Sequence, residues 1–123
     1  MHKFIFGLMC GALATFSHAD NCDKARNTYD DIYCTNKIYA SADADLNKNY
    51  QQLRQQLNET QQKILKKAQL VWIRHRDASC TDSQQNSVDV QCRLTTTQER
   101  NHWLLERLRE CQTAGCKTTR LSE

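Results

Sequence analysis

The side chains with the greatest capacity for chemistry in this chain are its seven cysteines and four histidines. Loss of an N-terminal signal would discard Cys10 and leave six cysteines, an even number that favours three disulfides in an exported protein. A zinc site is the alternative, but no Cys-x-x-Cys pair occurs. We therefore expect structural cysteines, with no metal and no cofactor. The six are Cys22, Cys34, Cys80, Cys92, Cys111 and Cys116.

Nearest neighbours along the chain give the simplest pairing, although six cysteines permit many others. This pairing joins Cys22 to Cys34, Cys80 to Cys92 and Cys111 to Cys116. In the chain-entropy model, each of the first two bonds stabilises the fold by roughly 3 kcal/mol.

Enzyme chemistry has little support in the remaining residues. Serine, histidine and aspartate occur without a motif that would place a nucleophile beside its base. His75 continues a helical stripe, where a packed or surface histidine is far commoner than a general base. We expect a protein without enzymatic activity.

Apolar residues recur at three- and four-residue steps in long stretches, which is typical of helices. The first predicted helix runs from Thr28, its expected N-cap, to Leu57. The second runs from Asn58, whose capping box uses Gln61, to Cys80. The tight link between them predicts an antiparallel hairpin.

A third helix is expected to stop before Gly115. It begins either near Ser87 or at a capping box formed by Thr96 and Glu99. Residues 117–123 should form a flexible tail. The fold class is then all-α, a small three-helix antiparallel bundle stapled by disulfides.

Residues 1–19 have the basic start, apolar centre and small-residue end of a removed secretory signal. Its apolar run is too short to span a membrane as a helix. Removing 19 of the 123 residues leaves 104, enough for one domain, which we assign to residues 20–116. We expect a periplasmic or secreted bacterial protein with no membrane anchor after cleavage.

The mature net charge falls from +3 to +2 without Lys3, too little to favour a nucleic-acid partner. Its distribution is uneven. Residues 20–45 hold six acidic and three basic side chains, and residues 46–81 hold two acidic and seven basic ones. The cations at positions 63, 66, 67, 74 and 76 are most simply one solvated helix face.

A group of polar residues surrounds Trp72 on the second helix. Arg76 lies one turn after Trp72 and can stack on it, while Gln69 lies one turn before. Asp77 can either fix Arg76 or reach Arg100 on the third helix. We predict that Trp72, Arg76, Asp77, Asn47 and Arg100 form a mainly structural cluster.

Asn47 lies near the seam of the first helix, where a poor helix former needs a reason to be present. Two interpretations are equally open. Asn47 is either an exposed side chain tolerated at small cost or a partly buried amide that bonds across to another helix.

The segment between Cys80 and Cys92 is polar, with two aspartates and no basic residue. A Cys80–Cys92 bond would tether it at both ends and lower the entropy cost of ordering it on a partner. The simpler alternative is a connector. The candidate partner-binding residues are Asp82, Ser83, Asn86, Ser87 and Asp89.

The spacing of these motifs resembles that of the lysozyme inhibitor LprI-like N-terminal domain family of exported bacterial proteins, over about residues 21–108. The Cys111 and Cys116 pair is an addition to the family pattern. The resemblance rests on Cys22, Cys34, Cys80 and Cys92 together with Asp43, Leu46, Asn47, Tyr50, Gln69, Trp72, Arg76, Asp77, Thr97 and Arg100. It implies an all-helical fold and a protein partner, most concretely a lysozyme-type muramidase. The alternative is an envelope interaction or structural module with an unrelated partner.

We predict that the exported protein begins near Asp20 and lacks Cys10, because the small-x-small cleavage site directly precedes a polar domain. Intact-mass measurement of the exported protein tests this. A mass that retains Met1, or that includes a lipid on Cys10, would contradict it.

Overall fold

The computed structural model describes Cys22 and residues 27–123; the predicted signal, residues 1–19, lies outside them. In this part of the chain the helices are α1 (Thr28–Gln55), α2 (Glu59–Ser79) and α3 (Val90–Thr113). Strands β1 (Thr81–Asp82) and β2 (Ser87–Val88) pair antiparallel between α2 and α3, and a 3-10 helix spans Thr118–Arg120. The predicted all-α, three-helix fold is confirmed.

Side-chain caps set where the first two helices begin. The Asn58 side chain accepts from the Gln61 amide at 2.9 Å, and the Gln61 side chain accepts from the Asn58 amide at 3.0 Å. The predicted capping box of α2 is therefore confirmed. The N-cap of α1 is Asn27 rather than Thr28, because the Asn27 side chain accepts from the Asp30 amide at 2.9 Å.

The start of α3 lies between the two positions that the sequence left open. Asp89 is its N-cap and accepts from the Cys92 amide at 2.9 Å. The Asp89 amide in turn donates to the Cys80 carbonyl at 2.7 Å. Because this hairpin holds the chain against the end of α2, the helix begins before the Thr96 capping box, which is not used.

The disulfides of the described residues follow the nearest-neighbour prediction. They join Cys22 to Cys34, Cys80 to Cys92 and Cys111 to Cys116. Each therefore closes a local segment, and none of the three links one helix to a distant one.

The three described helices run up, down and up. Contacts of Asp43 with Arg76 and of Arg76 with Thr97 place α2 antiparallel to both neighbours. α1 packs most closely against α3. Its contact with α2, the partner in the predicted hairpin, is looser. Ala42 explains the close pair, because its small side chain lets its carbonyl accept from the Asn101 amide group at 3.0 Å. Bulky side chains, by contrast, separate α2 from α1 and from α3.

Leucines from every helix form the buried core. They are Leu46, Leu53, Leu57, Leu65, Leu104 and Leu121. Tyr50, Trp72 and Trp103 pack against this core and are partly buried.

Residues 117–123 are not the flexible tail that the sequence predicts. Leu121 is only 1% exposed and belongs to the leucine core. Gly115 adopts φ 93°, a left-handed conformation that favours glycine, and it reverses the chain beside the Cys111–Cys116 bond. The last residues therefore fold back over α2 and α3.

We expect Leu121→Ala to lower the free energy of unfolding by about 2 to 4 kcal/mol, because it leaves a cavity in the leucine core. Chemical denaturation measures this loss. The control is Thr119→Ala, at an exposed position of the same segment, which should change stability little. Equal stability of the two variants would contradict the packing of the C-terminal segment.

Candidate functional site

The segment between Cys80 and Cys92 forms an exposed hairpin. Thr81 pairs with Val88 and Asp82 pairs with Ser87. Every residue from Thr81 to Asp89 is exposed, and Asn86 adopts φ 49°, which asparagine tolerates better than most residues. The candidate residues Asp82, Ser83, Asn86, Ser87 and Asp89 therefore lie together at one end of the bundle.

The two aspartates of the hairpin also organise its backbone. One carboxylate oxygen of Asp82 accepts from the amides of Gln84 at 2.9 Å and Gln85 at 3.3 Å. Asp89 caps α3, as described above. With the disulfide at its base, the hairpin has little conformational freedom to lose when it binds.

The polar cluster predicted around Trp72 is present in the bundle. Arg76 is 6% exposed, so it is not part of the solvated basic face that the sequence suggests. Its guanidinium lies 5.1 Å from the Trp72 ring centre and donates to Thr97 at 3.3 Å. Carboxylates of Asp77 at 3.0 Å and Asp43 at 3.5 Å balance its charge. Arg76 therefore joins all three helices.

Arg100 forms the second half of this cluster. Its Nε donates to Gln69 at 2.9 Å, and its guanidinium lies 3.7 Å from the Trp103 ring centre and 5.7 Å from that of Trp72. Burial lowers the pKa of Arg100 to about 10, so the group stays charged at neutral pH. Asp77 contacts Arg76 and Arg93, at 3.0 and 3.5 Å, rather than the alternative Arg100.

The prediction that Asn47 belongs to the cluster is wrong, because Asn47 lies outside it. Its side chain is exposed on α1, which agrees with the interpretation of an exposed asparagine tolerated at small cost. Asn49, two residues later, is the buried amide and donates to Asn101 on α3 at 3.1 Å. Helical spacing could have distinguished the two asparagines, because Asn49 lies three residues after Leu46 and four before Leu53, on the buried face, whereas Asn47 does not.

Sequence reasoning missed a further group of polar residues around Trp103. Arg107 is 5% exposed, lies 5.5 Å from the Trp103 ring centre and pairs with Glu110 at 3.0 Å and Glu123 at 3.2 Å. The main-chain oxygen of Glu123 also accepts from Arg100 at 3.3 Å. The spacing of Trp103 and Arg107 repeats that of Trp72 and Arg76, a signal that could have revealed this group.

Comparison with known proteins adds the family. A family model described as lysozyme inhibitor LprI matches residues 19–104. The chain belongs to the lysozyme inhibitor LprI family. No curated protein and no solved structure matches the chain. The LprI match includes α1, α2 and the hairpin and ends within α3, so the Cys111–Cys116 bond and the packed C-terminal segment lie beyond it.

Membership in the LprI family confirms the resemblance found in the sequence. The family is one of inhibitors, which implies a protein partner. The disulfides fit an oxidising, extracellular location. Of the helices in the described residues, none has the length and apolar character needed to cross a membrane.

We predict that Asp77→Ala lowers the free energy of unfolding by about 1 to 3 kcal/mol, because it removes a carboxylate from Arg76 and Arg93. Thermal or urea denaturation measures the change. Asp45→Ala serves as the control, since it removes an exposed carboxylate from α1. Unchanged stability of Asp77→Ala with loss of partner binding would assign the cluster to function instead.

Proposed function

We propose that this protein binds and inhibits a lysozyme-type muramidase in the periplasm or outside the cell and performs no chemistry itself. The observation that carries this proposal is the LprI match, which spans most of the chain. A binding role is supported by the geometry of the two polar groups, because Arg76 and Arg100 make contacts between helices while the polar residues between Cys80 and Cys92 are exposed.

The Cys80–Cys92 hairpin is our candidate for the inhibitory surface. Lysozymes cleave a glycosidic bond that lies between two carboxyl groups in a cleft. A narrow hairpin fixed at both ends can enter such a cleft with little loss of conformational entropy. Ser83, Asn86 and Ser87 would offer neutral hydrogen-bonding groups to the carboxyl groups there.

Charge supports the same surface. Many lysozymes are strongly basic, and a mature domain of +2 has no attraction to them through its net charge. Local acidic groups must therefore guide association. Asp82 and Asp89 are exposed on a segment with no basic residue. The alternative acidic surface is the first-helix region with Asp23, which lies outside the described residues, and Asp30, Asp31, Asp43 and Asp45. In that region Arg76 engages Asp43. We favour the hairpin because it is tethered at both ends.

Replacing Asp82 and Asp89 by asparagine removes the negative charge of the hairpin while preserving its backbone hydrogen bonds. Asparagine caps helices as well as aspartate does, and its carbonyl oxygen can still accept from the hairpin amides. We expect this double variant to keep its melting temperature and to associate about tenfold more slowly at low salt. The salt dependence of its association rate should also be flatter.

The experiment measures lysozyme activity on cell walls and association kinetics with purified mature protein. The control is Glu59→Gln with Glu99→Gln, which removes the same charge from exposed positions on α2 and α3. If both double variants slow association with lysozyme equally, the net charge of the protein guides association and the hairpin does not. If wild-type protein at micromolar concentration leaves lysozyme activity unchanged, the inhibitor proposal fails and the envelope-module alternative replaces it.

A further inference from the structure

Exposed hydrophobic side chains of residues 27–123 concentrate in two places. Seven large hydrophobic side chains are exposed in this part of the chain, and five of them lie on the first turns of α1 or the middle of α2. These five are Tyr29, Ile32, Tyr33, Leu70 and Val71. Such clustering marks interaction surfaces more often than scattered exposed residues do.

The surface on α2, which we name the basic groove, consists of Lys63, Lys66, Lys67, Leu70, Val71 and Arg74. Leu70 is 44% and Val71 54% exposed, and the groove has a volume of about 330 Å³. It exists because α2 turns Leu65, Gln69 and Arg76 inward. Its two apolar side chains therefore lie on an outer face rimmed by cations.

The surface on α1, which we name the acidic patch, consists of residues 29–33. Tyr29 is 77%, Ile32 54% and Tyr33 62% exposed. Asp30 and Asp31 follow Tyr29 in the first turn of the helix. Asp30 borders the three apolar side chains, and Asp31 lies on the other side of the same turn. The acidic patch thus combines the same apolar character as the basic groove with the opposite charge.

We propose that the basic groove binds the acidic patch of a second copy of this chain. Burial of the tyrosines and Ile32 against Leu70 and Val71 would supply the apolar contact. Opposite charges would meet around it, and tyrosine rings bind favourably beneath lysine and arginine cations. No external partner is needed to explain either surface, because each chain carries both halves of the interaction.

A two-fold pair uses both halves at once, with the acidic patch of each copy in the basic groove of the other. These surfaces are small compared with stable protein interfaces. The association should therefore be weak and reversible, with a dissociation constant of about 10 to 500 µM. It should weaken as salt screens the charges. This proposal involves neither Asp82 nor Asp89 and does not depend on lysozyme inhibition.

Exchange of the two charges gives a sharp test. Lys67→Glu with Arg74→Glu leaves two lysines and two glutamates in the groove and so removes its net positive charge. Asp30→Lys with Asp31→Lys makes the patch of the other chain basic. Each variant alone should be monomeric by sedimentation velocity where the wild type self-associates. An equimolar mixture should restore association, because the unchanged acidic patch of the first variant then meets the unchanged basic groove of the second, and the new glutamates meet the new lysines.

Lys48→Glu with Lys117→Glu is the matched control, since it makes the same change in net charge at exposed positions outside both surfaces. It should associate as the wild type does. Circular dichroism checks that each variant is folded. Leu70→Ser provides a second test that leaves all charges in place, and we expect it to weaken association at least about tenfold.

Three outcomes would overturn the proposal. They are a wild type that stays monomeric up to about 500 µM, single-surface variants that associate like the wild type, and a folded mixture that stays monomeric. If the wild type is monomeric, the basic groove and the acidic patch would instead bind molecules other than a second copy of this chain.

Discussion

Burial of guanidinium groups is the constraint on which the rest of this small bundle depends. Arg76, Arg100 and Arg107 are each no more than 6% exposed. Removing such charges from water is costly unless they find stacked rings, carboxylates and hydrogen-bond acceptors. Trp72 and Trp103 provide the rings. The helices are therefore arranged around three cations as much as around the leucine core.

This constraint explains two features of the fold. α2 is separated from α1 because Arg76 and Trp72 need the space between them, while small side chains allow α1 and α3 to approach closely. The C-terminal segment packs because Glu123 completes the surroundings of Arg100 and Arg107 and Leu121 enters the core. Local disulfides then stabilise the ends of helices whose mutual arrangement the buried polar contacts define.

The same arrangement separates stability from recognition. The arginines of the cluster are used inside the bundle, and the surfaces that we propose for partners are the exposed hairpin and the two oppositely charged helix surfaces. In the proposed inhibitor, the acidic groups of the disulfide-closed hairpin would guide it to a basic protein and its neutral polar groups would meet the carboxyl groups of the cleft. The outer surfaces of α1 and α2 remain available at the same time.

The sequence by itself determined the helices, the α2 capping box and the local disulfide pairing, because these depend on residues close together along the chain. It also predicted that Trp72, Arg76 and Asp77 act together, since helical spacing fixes neighbours one turn apart. Only the tertiary structure decided that Asn49 donates to Asn101 on α3 and that Arg93 reaches Asp77. It alone packed Leu121 into the core, because contacts between distant residues depend on how the helices pack rather than on local pattern.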